Sequence, residues 1–397
     1  VLARAFGWIR HSAVAVVVAW VLSRAVMLWQ LNGNPQDFLP DVRLYATWTI
    51  LLADRQFPVG DAYWQYPPGA GVLFYLTHFV GPDPVNGFVA LAIAADLGLL
   101  VMLLVVGHRR HDVGSTNAAW LWVIGGLAVG PIMMARFDIF PTVFAAAAVL
   151  AAARPWRSGV WAGIGALLKV WPILMLATVS RRQLPKAALS GIVTIGVGLA
   201  AINVWATGGF SFLGQQGGRG LQIESVGSIG YVISGMLGKP VDIVLRYGAF
   251  EFQEPQAERI GLLITVIGLA LFCAIGILRL SGRLEQLTPG DIGLTLILIA
   301  VATSRVYSPQ YDVWVMGMAA TCLVDRRTRM IPVVWTVVAL CALTSLIFPW
   351  LYGSLLHLYP LASSMQVLRI ALLLVCTVWA LIIVFRSARS RPVLPAS

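Results

Sequence analysis

Long apolar runs dominate the chain, and its polar residues collect in the segments between them. The runs cover residues 13–31, 86–107, 118–135, 139–153, 185–206, 259–279, 290–303, 309–324, 331–349 and 366–385. Several approach the ~20 residues that carry a helix across a bilayer. Backbone groups in lipid have no water to bond, so a chain of this kind spans as helices. Two more apolar segments, 67–80 and 158–180, must enter and return on one side or each fold as a pair of short helices. The pattern predicts an all-α polytopic membrane protein with about ten full crossings, two short helical dips, and an interfacial helix in the first outer loop. No repeat or low-complexity tract divides it, so residues 1–397 read as a single membrane domain.

Composition agrees with this reading. Of the 397 residues 59% are apolar and 11% charged, against about 25% charged in an ordinary soluble domain; the mean hydropathy is +0.82. The net charge of +11 is spread over small basic clusters between the runs, such as Arg109–Arg110, Arg181–Arg182 and Arg326–Arg327. That is the signature of cytoplasmic loops, and it leaves no basic face to follow a nucleic-acid backbone. With both termini in the cytoplasm, acidic residues including Asp37, Asp41, Asp61, Asp138, Glu224 and Asp312 gather at the outer face. Acidic residues do not set topology, so this clustering independently marks the outer face as the chemical one. The first span, after Arg4 and Arg10, reads as an anchor and not a cleaved signal. The four cysteines lie inside apolar runs with no CxxC spacing, so neither a zinc site nor a disulfide framework is indicated.

Five polar stretches interrupt this background. In the first outer loop, 32–66, residues 44–54 suit a helix lying along the interface, which puts Asp41 at the membrane surface. The plainer reading is that Asp41 or Asp37 caps that helix, and that Trp64 and Tyr66 are belt aromatics. "MARFDIFP" holds Arg136 and Asp138 in a tight outer turn, either as a local ion pair of little worth or as a charged cavity wall. "LLKVWPIL" sets Lys169 deep in an apolar segment; such a residue marks function by default, with snorkelling as the alternative. "GGRGLQIES" is a Gly-rich outer loop with Arg219 and Glu224, suited to an anion. "SRVYSPQYDVW" packs Arg305, Tyr307, Ser308, Gln310, Tyr311 and Asp312 into a Pro-broken turn at the outer boundary, a density of polar groups that fits a wet cavity.

Taken in order, "PDVRLYATW", "YWQYPPGAG", "RFDIFP", "LLKVWP", "RGLQIES" and "SPQYDVW", spread from about residue 37 to 315, resemble the GT-C membrane glycosyltransferases, and among them glycosyltransferase family 87. The likeness is to members that elongate phosphatidylinositol mannosides. It implies transfer from polyprenyl-phosphate-mannose to a glycolipid acceptor, tetramannoside to pentamannoside, on the periplasmic side of the plasma membrane. The bond would be α-1,2 and made with inversion. It also implies that an aspartate of the first outer loop is the base, and Asp41 matches that position.

The residues fit such chemistry. Inverting transfer needs one base for the acceptor hydroxyl, and a phosphate leaving group needs fixed cations rather than a proton. Lys169, Arg219 and Arg305 are the candidates, with Arg219 and Arg305 expected to make the direct phosphate contacts, which leaves no need for a metal or other cofactor. Tyr45, Trp64, Tyr66, Tyr307 and Tyr311 suit packing against sugar faces. Arg136, Asp138, Glu224 and Gln310 are further candidates for sugar hydroxyls. Rival readings are a branching enzyme of lipomannan, a different prenyl-linked donor sugar, and a transporter of lipid-linked sugars. The last usually shows paired repeats and midplane charges, whereas the polar motifs here crowd one face.

Overall fold

The structure is a computed structural model that describes residues 12–81, 83–109, 116–216 and 220–389. It is 74% helical. Six helices are long and apolar enough to cross a membrane: α1 (Ala13–Gly33), α4 (Pro84–Arg109), α8 (Leu184–Trp205), α10 (Pro255–Leu280), α13 (Ile331–Leu346, continued to Leu356 by a kinked turn) and α14 (Pro360–Arg389). Between them lie α2 (Pro40–Ala53), α3 (Pro68–Leu76), α5 (Asn117–Val129), α6 (Ile139–Leu150), α7 (Pro155–Leu168), α9 (Ile229–Met236), α11 (Pro289–Ala302) and α12 (Tyr311–Cys322). Proline opens α2, α3, α7, α10 and α11, where its fixed φ suits the first turn and its missing N–H is not needed.

The ten predicted crossings all fold as helices, but four of them fall short of a span. Helices α5, α6, α11 and α12 have 12 to 14 residues, about 18–21 Å against a hydrocarbon core of ~30 Å. The reason they read as spans is burial. Nearly every residue of α11 and α12 is enclosed by protein, and a helix buried all round is apolar all round. The long helices show the reverse, with only 17% of the apolar window of α8 and α10 covered by protein. Short helices form the middle of the bundle, and long ones surround it.

The two predicted dips are each a pair of short helical pieces. The first is α3 followed by a turn at Thr77–Phe79; the second is α7 followed by a 3-10 segment at Trp171–Thr178. Between the halves of the second, Lys169 is extended at φ −154°, ψ 138°, because Pro172 has no N–H to continue the helix. The interfacial helix begins at Pro40, four residues ahead of the predicted start, so Asp41 sits in its first turn. Neither Asp41 nor Asp37 makes a side-chain cap. The all-α expectation needs one correction. Strands β1 (Leu221–Gln222), β2 (Ile243–Arg246) and β3 (Ala249–Phe252) form an antiparallel sheet in the order β1–β3–β2. Arg246 pairs with Ala249, leaving Tyr247 (φ +52°) and Gly248 (φ +75°) as a two-residue turn, the left-handed geometry that fits the twist of a hairpin.

A buried ion pair ties the first helices together. Arg24 of α1 forks onto Asp96 of α4 at 2.8 and 2.9 Å. The Trp20 and Trp122 indoles donate to the same carboxylate at 2.8 and 2.7 Å, and Arg24 also donates to the Val123 carbonyl of α5. Gly126 makes room, since a methyl group there would run into the Arg24 guanidinium. Removing one partner strands a buried charge, which costs far more than replacing both. Asp96→Ala is expected to lower stability by about 3–5 kcal/mol, seen as a fall in the thermal midpoint of the purified protein in detergent. Arg24→Met combined with Asp96→Leu should recover most of the loss. An Asp96→Ala protein that melts like the wild type would refute the pair's role.

Candidate functional site

A cavity of about 640 Å³ opens where the first outer loop, the break after α7, the β2–β3 turn and the segment before α12 meet. Its walls are Asp41, Tyr45 and Trp48 of α2, Tyr63, Gln65 and Tyr66, Lys169 to Trp171, Phe212 and Leu213, Tyr247 to Ala249, and Ser308, Gln310, Tyr311 and Trp314. Among the described residues that line it, Asp41 is the one carboxylate and Lys169 the one cation.

The turn before α6 holds both. Arg136 and Asp138 are buried and do not pair with each other. Arg136 Nε reaches Asp41 Oδ2 at 2.9 Å, and its Nη1 is fixed by the carbonyls of Phe38 and Ala135. Asp138 Oδ1 accepts from Lys169 Nζ and from the Trp314 indole, each at 2.7 Å. The Asp41 side chain remains 39% exposed and that of Lys169 22%, so each presents its charge to the cavity with a buried counter-charge behind it. The Lys169 ammonium also lies over the rings of Trp314 (4.5 Å) and Tyr311 (4.9 Å), which are stacked 3.9 Å apart, a favourable seat for a cation.

Tyr45 and Tyr66 share a hydroxyl contact of 3.0 Å beside Asp41. Burial, followed by their mutual interaction at Tyr45 and by the Asp41 charge at Tyr66, pushes both phenols well above their ordinary range. They are neutral hydrogen-bonding groups at the wall beside Asp41.

The other expected residues lie elsewhere. Trp64 is fully buried, packed edge-on against Trp48 at 5.0 Å. Arg305 does not line the cavity; its carbonyl accepts from Gln222 N–H, and its side chain lies against Gly261 of α10. Arg219 falls outside the described residues. Tyr307 and Glu224 belong to a network behind the wall. Tyr307 donates to Asp312 at 2.5 Å and stacks beneath Arg369 of α14 at 3.9 Å. Glu224 Oε2 accepts from Gln222 (2.5 Å) and Tyr352 (3.2 Å). Its Oε1 makes no hydrogen bond among the described residues and lies 3.8 Å from Arg369. Gln222 also donates to Ser308, linking this network to the cavity wall.

Several positions of the cavity and of the network behind it escaped sequence reasoning. Tyr63 and Gln65 face the cavity, whereas Trp64, singled out from the same "YWQY" stretch, turns into the core. Arg369 carried a legible signal, an arginine inside an apolar run. Tyr247 and Gly248 carried only the turn residues of an unexpected hairpin. Among the described residues no group of three or more His, Cys, Asp or Glu is placed to hold a metal ion.

The sequence matches the profile described as Glycosyltransferase family 87 over residues 64–279, more than half of the chain. The chain belongs to glycosyltransferase family 87. No curated protein matches it. The matched stretch of this family 87 glycosyltransferase contains Tyr66, the Arg136–Asp138 turn, Lys169 and Glu224. Asp41 and the segment from Ser308 to Trp314 lie outside it, yet the fold brings them to the same cavity.

Burial pushes the Glu224 carboxyl from its ordinary 4.5 up to about 7, outweighing the Arg369 charge that acts to lower it. The folded state therefore holds this proton more tightly than the unfolded one. The stability linked to it is full below about 4.5 and is lost as pH rises through about 7. In thermal melts across that window, the wild-type midpoint should fall with rising pH more steeply than that of Glu224→Gln. Parallel curves for the two proteins would show that Glu224 does not titrate there.

Proposed function

We propose that this glycosyltransferase moves mannose from polyprenyl-phosphate-mannose to a phosphatidylinositol mannoside, tetramannoside to pentamannoside. The bond is α-1,2, and it forms with inversion. The reaction takes place at the outer, periplasmic face of the plasma membrane. Both termini are cytoplasmic, and the four short apolar helices, lengthened by the turns that flank them, complete ten crossings within the shell of the six long ones. The observation that carries this reading is a cavity with one exposed carboxylate and one exposed cation, each oriented by a buried partner.

Asp41 takes the proton of the acceptor hydroxyl as that oxygen attacks the anomeric carbon from the face opposite the phosphate. The bond from carbon to phosphate oxygen breaks, and the prenyl phosphate leaves with its electron pair. Arg136 Nε holds Asp41 at Oδ2 at 2.9 Å, and the carboxylate stays 39% exposed to receive the proton. Lys169 meets the charge that grows on the leaving phosphate, where a fixed donor counts most. Arg219 is a further phosphate candidate. Tyr45, Tyr66, Gln310 and Tyr311 supply rings and hydrogen bonds for sugars, with Arg136 and Asp138 orienting the two charged groups. The prenyl and acyl chains of the substrates remain among membrane lipids.

Mannosyl transfer by the purified protein in detergent tests this. Asp41→Asn should cut turnover by about 10²–10⁴-fold and Lys169→Met by about 10²–10³-fold, while Asp37→Asn keeps most of it. Full activity in Asp41→Asn would remove the base. A wild type inert with this acceptor but active on lipomannan would move the reading to a branching enzyme, and a protein that forms no product in detergent but carries lipid-linked sugar across a vesicle membrane would be a transporter.

A further inference from the structure

The proposed chemistry uses Asp41 and Lys169 but leaves one rim of the cavity without a role. That rim is Tyr63 and Gln65 of the first outer loop together with the turn between β2 and β3, Tyr247 to Ala249. It differs from the Lys169 side in kind. Lys169 sits in the break between α7 and the 3-10 segment that packs on α8 and α11, among the apolar helices a lipid phosphate must approach. The rim is built from a loop and a hairpin, none of it in a helix long enough to cross a membrane.

Its surface is that of a sugar site. Tyr63 is 46% exposed, Tyr247 is half-buried, and both line the cavity beside the Gln65 amide. Aromatic faces receive the C–H faces of sugars, while phenol and amide groups bond hydroxyls. The rim also joins distant parts of the chain. The Gln65 amide donates to the Tyr247 carbonyl at 3.4 Å, joining segments 182 residues apart. Gly248 lets the Tyr63 ring approach, since a methyl group there would stand 3.2 Å from it. The Arg246 guanidinium lies over the Tyr247 ring at 5.5 Å. Docking a hairpin turn onto a distant loop fixes an aromatic surface at a cavity mouth.

We infer that Tyr63, Gln65, Tyr247 and Gly248 form the subsite for the acceptor's glycan, the mannose-bearing head of a membrane glycolipid, apart from the donor's phosphate side at Lys169. This rests on the transfer reading given above. It makes Tyr63 and the hairpin turn determinants of acceptor choice and not of the chemical step.

Two measurements on the full-length protein in detergent test it. In steady-state transfer, Tyr63→Ala should raise the acceptor KM about tenfold with the donor KM unmoved, and Tyr63→Phe, which keeps the ring, should stay near the wild type. Gly248→Ala, strained by its positive φ and crowding Tyr63, should move the acceptor KM in the same direction. A rise in donor KM instead, or no change in either, overturns the assignment. Saturation-transfer NMR with α-linked mannotriose, without any donor, reads the subsite independently of turnover. A wild-type signal lost in Tyr63→Ala supports the subsite even if no mannosyl transfer is found, in which case only the transfer reading fails. The same mannotriose signal in both proteins, present or absent, overturns the subsite.

Discussion

Arg136 and Asp138 stand two residues apart in a buried turn, and neither satisfies the other. A buried charge needs a partner, and each of these draws one from a distant segment: Asp41 from the first outer loop and Lys169 from the break after α7. The arrangement of the cavity follows from that constraint. If the two charges had paired locally, α2 and the Lys169 segment would lose their electrostatic reason to meet at this turn. The same bonds that settle the turn aim the only carboxylate and the only cation lining the cavity, among the described residues, into one space. Folding and site assembly are coupled here, because a buried pair broken on one side leaves an uncompensated charge.

The bundle around this turn divides its work by helix length. Short helices such as α11 and α12, enclosed on all sides, make a stiff interior; the long helices leave most of their surface for lipid. Close-packed interiors shift little, so the segment from Ser308 to Trp314, leading into α12, is a firm wall. The network of Glu224, Arg369, Tyr307 and Asp312 braces it from behind, joining β1, α12 and α14. The sheet adds what helices alone do not, a narrow turn that reaches across to Tyr63.

Sequence reasoning found Asp41, Tyr45, Tyr66, Lys169, Gln310 and Tyr311, all of which line the cavity, because polar groups at a membrane boundary are costly unless something uses them. The same logic selected Glu224 and Tyr307, whose polarity is spent on internal partners. Cost alone does not distinguish a group satisfied by substrate from one satisfied by protein. Arg24 and Asp96 carried the same signal, a charge in an apolar run, but their pairing across 72 residues exists only in three dimensions. The ten helices were legible from their apolar runs, but apolarity on every face has two causes, lipid and protein, and only packing separates them. The hairpin was missed because Tyr247–Gly248 gives a weak local signal inside a loop.

Among the described residues the four charges of the site sum to zero. Asp41 and Asp138 are matched by Arg136 and Lys169, so a donor phosphate meets no net positive field from these four groups. What they offer is direction. In one pair the negative member faces the cavity with its cation buried behind; in the other the positive member faces it with its anion behind. Under the proposed transfer a proton moves onto Asp41 while negative charge gathers on the departing phosphate near Lys169. Each oriented pair then favours the charge that appears beside it, and neither must rearrange as the reaction proceeds, since Arg136 and Asp138 are already held by backbone carbonyls and the Trp314 indole. A preset field of this kind stabilises a transition state more than a ground state, because it is strongest where charge is displaced. It also keeps the empty cavity free of a large uncompensated charge, which a site beside the membrane interior would bear at high cost. Neutrality overall with polarity at each wall meets both demands at once.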